Sequence, residues 1–139
     1  MGNTQSIKKI NFEDMQNVIK NPEIYLIINT LPIYEQQCLI VNTTVAGDEE
    51  AIINKFIKEN KSIRIIIYGK NCNDETINKK YQQLYSIGFY NIFVYSGGMF
   101  EWLILQDIYG KELFPTTTKE LDLLKYKSNQ LLSIGLLEY

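Results

Sequence analysis

The chain has no histidine, a single arginine (Arg64), two cysteines (Cys38 and Cys72) and three prolines. Each shortage removes a class of chemistry. Without histidine there is no Ser-His or Cys-His nucleophile pair, and the commonest metal ligand is missing. Two cysteines are too few for a disulfide scaffold or a cysteine zinc site, so neither a metal nor a resident cofactor is expected. Free thiols suit a reducing compartment. No apolar run approaches the length of a membrane span and no secretory signal opens the chain, so the expected location is cytoplasmic. Fourteen basic against sixteen acidic residues leave a net charge of -2 and a pI near 5.2, which argues against a nucleic-acid partner.

What is present fits one globular domain. The 139 residues are long enough to bury a core without metals or disulfides. Residues 1–9 read as a flexible leader, 10–115 as the domain, and 116–139 as a C-terminal extension, helical from about Lys119 and packed on the domain through its apolar end, Leu131–Leu137. The leader carries Met1-Gly2-Asn3-Thr4-Gln5-Ser6, the pattern in which Gly2 is myristoylated after Met removal in a eukaryotic host cell. A membrane surface is therefore an expected partner, with Lys8 and Lys9 adding attraction to anionic lipid. One myristoyl chain binds only marginally, so stable anchoring needs a second signal or a partner. The abundance of Lys, Asn and Ile marks an AT-rich coding genome.

Element signals alternate. Asn11-Phe12-Glu13-Asp14 reads as a helix start, and Phe12, Met15, Val18 and Ile19 form its apolar stripe, stopped by Asn21-Pro22. Tyr25–Ile28 is a short apolar run of the kind buried on both faces of a sheet. Cys38–Val41 reads as a second short strand. A helix with Ala51, Ile52, Phe56 and Ile57 on one face follows Gly47-Asp48. Ile63–Tyr68 is the strongest strand, stopping at Gly69. A helix from about Asp74 puts Ile77, Tyr81, Leu84 and Ile87 inward and ends at Gly88. Phe89–Tyr95 is the last strand, and Ser96-Gly97-Gly98 turns into a helix carrying Phe100, Trp102, Leu103 and Leu105 up to Gly110. The fold class is α/β, a mostly parallel central sheet with helices on both faces. In such sheets ligands gather beyond the carboxyl ends of the strands. There the loop Gly69-Lys70-Asn71-Cys72-Asn73-Asp74 enters a helix N-terminus, a cradle of N–H groups suited to an anion.

The order strand, short loop, helix ending in Ser86-Ile87-Gly88-Phe89, strand Asn91–Tyr95, then Gly97-Gly98-Met99-Phe100-Glu101-Trp102 resembles the rhodanese-like family over roughly Ile10 to Phe114. The stretches Tyr68–Glu75 and Gly97 to Thr117 resemble a divergent subgroup from large DNA viruses and some protists. The resemblance implies a loop delivering a nucleophilic cysteine directly after the strand's Tyr, with an arginine near its far end. Here the first position is Gly69 and no loop residue is Arg. The family's Asp-Arg pair after the early strand is replaced by Asn29-Thr30, and its Gly-His-Ile-like segment by Gln37-Cys38-Leu39-Ile40.

These departures point to a non-catalytic binding or scaffold module with an unidentified protein partner, tethered through Gly2. Two other readings stand beside it. In one, Cys72 serves a divergent sulfurtransferase or persulfide carrier, helped by the helix N-terminus and Lys70. It sits three positions late, and Asp74 and Glu75 would oppose an anion at the same amides. In the other, Cys72 is a thiol redox switch and Cys38 is core. Phosphatase chemistry, which the fold also supports elsewhere, lacks the arginine that grips phosphate.

Overall fold

A computed structural model describes residues 6–132. Five strands, β1 (Lys8–Ile10), β2 (Tyr25–Asn29), β3 (Thr43–Thr44), β4 (Arg64–Tyr68) and β5 (Ile92–Tyr95), form one sheet in the order β1-β5-β4-β2-β3. Every pairing in it is parallel. The helices are α1 (Phe12–Ile19), α2 (Ala46–Glu59), α3 (Thr76–Ser86) and α4 (Gly98–Tyr109). No described helix is long and apolar enough to cross a membrane.

The alternation of side chains along the central strands sorts them into two cores. Ile27, Ile66, Tyr68 and Tyr95 face one side, where Met15, Val18 and Ile19 of α1 and Met99, Trp102 and Leu103 of α4 cover them. Leu26, Ile28, Ile65, Ile67 and Val94 face the other, under Ile53 of α2 and Ile77, Tyr81 and Leu84 of α3. Helix α1 starts where expected. The Asn11 side chain accepts from the Asp14 N–H while the Asp14 carboxylate accepts from the Asn11 N–H, a reciprocal cap.

Three expectations are corrected. Lys8 and Lys9 are no part of a flexible leader but join Ile10 in an edge strand, register-paired with Phe93–Tyr95. Cys38–Val41 is not a strand of the sheet. Cys38, Leu39 and Ile40 are buried in the core, and the backbone there makes only an antiparallel bridge, Ile40 to Thr116. The third strand is instead the polar pair Thr43-Thr44, which no hydrophobic pattern would signal. The helix from about Lys119 is, among the described residues, a single 3-10 turn over Leu123–Tyr126, whose Tyr126 plugs the first core. Smaller shifts accompany these: α3 begins at Thr76 rather than Asp74, and Ile87, beyond its end, is 37% exposed. Leu131 and Leu132 are exposed, and Ser133–Leu137 lie outside the described residues.

Candidate active-site loop

The loop begins where β4 delivers Gly69 between the carboxyl ends of β2 and β5. Its path is fixed from three sides. From β2, the Thr30 N–H donates to the Tyr68 carbonyl at 2.9 Å. From the start of α4, the Met99 and Phe100 N–H groups donate to the Gly69 and Lys70 carbonyls, each at 2.9 Å. This close approach explains Gly98. Its φ is +66°, and a β-carbon would stand 2.7 Å from the Gly69 carbonyl oxygen and 2.9 Å from the Asn71 nitrogen. From below, the Asn71 side-chain amide donates to the Tyr126 carbonyl at 2.8 Å.

The centre of the loop is filled from within. A β-carbon on Gly69, where the resemblance places the nucleophile, would collide with the Asp74 carboxylate and stand 2.6 Å from the Thr30 hydroxyl oxygen. That carboxylate accepts from the Lys70 N–H at 2.9 Å, the Thr76 N–H at 3.0 Å and the Thr76 hydroxyl at 2.6 Å. Asp74 thus spends its negative charge on backbone donors at the head of α3, where a carboxylate is favoured electrostatically. Asn71, which is buried, accepts from the Asn73 N–H at 2.9 Å, a turn-forming contact two residues on.

The remaining loop residues point outward. Cys72 is exposed, and Asn73 donates to the Ser128 hydroxyl at 3.1 Å. Lys70 stands 3.8 Å from Glu35 in a partly exposed pair, the kind that contributes little to stability. Cys38 is buried, with its sulfur 3.3 Å from the Thr118 carbonyl. Gly2 lies outside the described residues. The described residues contain no cluster of ligands able to hold a metal ion.

Sequence reasoning missed two supports. Asn29 and Gln36 join their side-chain amides reciprocally, at 3.0 and 2.9 Å, and Gln36 also accepts from the Ala46 N–H at the start of α2. An uncharged amide at position 29 is the signal for the first. The second is Tyr68, fully buried, whose hydroxyl accepts from the Ile40 N–H at 3.1 Å and bonds Thr43 at 2.9 Å. Burial pushes its pKa far above the usual phenol value, so it stays neutral. It pins the segment after β2 to the core.

Residues 38–105 match the family model of the rhodanese-like domain. No curated protein matches the chain. Among solved structures, the solution structure of a rhodanese-like domain from Anabaena sp. is 18% identical with a TM-score of 0.58, covering 96% of both chains. A Bacillus halodurans protein gives 17% and 0.57, covering 74% of each chain. A single-domain sulfurtransferase of Saccharomyces cerevisiae gives 17% and 0.53, covering 78% of this chain and 98% of its own. At such identities the likeness is one of fold.

Proposed function

The chain belongs to the rhodanese-like domain family, and we propose that within it the domain is a non-catalytic binding module, tethered to membranes through an N-myristoylated Gly2. The observation that carries this reading is the Asp74 carboxylate in the middle of the loop. Sulfur transfer needs a thiolate at the loop's centre and free N–H donors around the sulfur it receives. Gly69 offers no thiol, and the Lys70 N–H is already taken by Asp74. An incoming thiosulfate would meet a fixed negative charge where the cradle should be positive. Cys72, on the outer side, shares none of those donors.

A binding role has room beside the loop. A cleft of about 660 Å³ lies between α2 and α3, lined among others by Asn29, Thr30, Ile53, Thr76 and Leu84. Its size is that of ordinary recognition sites.

The test is a thiosulfate:cyanide sulfurtransferase assay on the purified chain beside its Cys72→Ser variant. Turnover at background in both is expected. Turnover in the parent that disappears in Cys72→Ser would establish the divergent-enzyme reading instead.

A further inference from the structure

The charges of this domain are sorted along the direction of the sheet. At the carboxyl ends of the strands, around the loop, stand Glu13, Asp14, Glu49, Asp74 and Glu101 in the first turns and caps of the helices. At the opposite end stand Lys20 after α1, Lys58 in the last turn of α2, Lys61 in the turn into β4, and Arg64 as its first residue, all exposed. Glu23 and Glu59, with Asp107 and Glu112 at the end of α4, are the acids at that end, and Lys111 is a further base there. Lys58 complements the dipole of its own helix. Lys61 and Arg64 lie outside the helices and answer no helix dipole, Arg64 resting over the Tyr25 ring at 5.8 Å from its centroid. Exposed apolar surface lies among these bases: Tyr90 is 59%, Ile24 43% and Ile87 37% exposed.

The described residues begin at this same end. Lys8 is level with Phe93, and Phe93 with Ile66, so Ser6 is level with Arg64 two strands away. At the usual strand spacing that is about 10 Å. We propose that this basic end is the second membrane signal, a docking surface for the anionic headgroups of a bilayer, completing the anchor that a single myristoyl chain leaves marginal. The proposal rests on the tethering reading above. The overall charge of -2 would by itself repel an anionic surface. The separation of charge turns that repulsion into orientation: the basic end approaches and the acidic loop end faces away, open to a partner. Tyr90 and its apolar neighbours sit at headgroup depth, where tyrosine is favoured.

The experiment measures partition onto vesicles of phosphatidylcholine with and without phosphatidylserine. The chain is used in two forms, acylated by an N-myristoyltransferase with myristoyl-CoA, and tethered through an N-terminal polyhistidine tag to nickel-chelating lipid. Phosphatidylserine should raise the partition of both. Replacing Lys58, Lys61 and Arg64 together by Gln should remove about a hundredfold, at about fivefold per residue near an anionic surface. Replacing Lys119, Lys127 and Lys79 by Gln changes net charge equally and should cost less than about fivefold. Equal losses in the two variants, no response to phosphatidylserine in the tagged form, or binding of RNA but not vesicles through the same three residues would overturn the assignment. If the enzyme adds no myristoyl mass while the tagged form responds to phosphatidylserine, the tethering reading falls and the basic surface stands.

Discussion

Trp102→Ala is expected to cost about 3–5 kcal/mol, the range for deleting a large buried aromatic side chain. Trp102 is fully buried, with Tyr95 and Phe114 packed edge-on at 5.9 and 5.1 Å between ring centroids. Its indole N–H donates to the Pro115 carbonyl at 3.1 Å, which ties the residue just before the extension to α4. Truncation therefore leaves a cavity and removes that hydrogen bond at once, the Pro115 carbonyl keeping only its bond from the Val41 N–H. Against a typical domain stability of about 5–15 kcal/mol the loss is severe. Urea unfolding followed by far-UV circular dichroism measures it, and a loss below about 1 kcal/mol would contradict the packing described.

Gly98→Ala should be of similar size, about 2–5 kcal/mol. The left-handed backbone at φ +66° costs a non-glycine residue about 1–2 kcal/mol. Overpacking adds about 1–3 kcal/mol, because the added methyl meets the backbone of Gly69, Lys70 and Asn71 rather than a movable side chain. Relief requires the loop to back away, breaking the bonds from Met99 and Phe100. The same denaturation experiment reads this, and an unchanged midpoint would mean that the loop does not rest on Gly98.

Much of the architecture was legible because several signals agreed in the second half of the chain. β4 is an unbroken β-branched run. Gly88 and Gly110, both at positive φ, end α3 and α4 as helix-stopping glycines do. The first half was harder for definite physical reasons. β1 is an edge strand carrying Lys8 and Lys9, so its exposed sides show no apolar pattern. Leu39 and Ile40 are as buried as any strand residue, yet their only strand-like pairing is the bridge at Thr116, and the Ile40 N–H goes to the Tyr68 hydroxyl. An apolar run thus reports burial without reporting a ladder. In the extension, Thr117 and Thr118 hydroxyls are committed to the Gln37 carbonyl, and Leu121 and Leu124 remain exposed. The leucines of this segment do not share a buried face.

The loop divides similarly. The lost nucleophile at Gly69 and the lost arginine could be read from the residues alone. So could the conflict between Asp74 and an incoming anion. What could not be read is that Asp74 turns back onto the Lys70 N–H and takes the space above Gly69, since that depends on the loop's path under α4. Nor does spacing reveal the amide pair of Asn29 and Gln36, seven residues apart and joined across a turn.

The measurement that bears most directly on the carboxylate-filled loop compares Gly69→Cys with Gly69→Cys/Asp74→Gly. Each is incubated with thiosulfate, desalted and weighed as the intact protein, with Cys72→Ser in the background so that only the introduced thiol is read. The expected result is no added sulfur in the first variant and one added sulfur in the second, with both still folded by circular dichroism. Stable sulfur on the first variant, with Asp74 in place, would contradict the claim that this carboxylate closes the site.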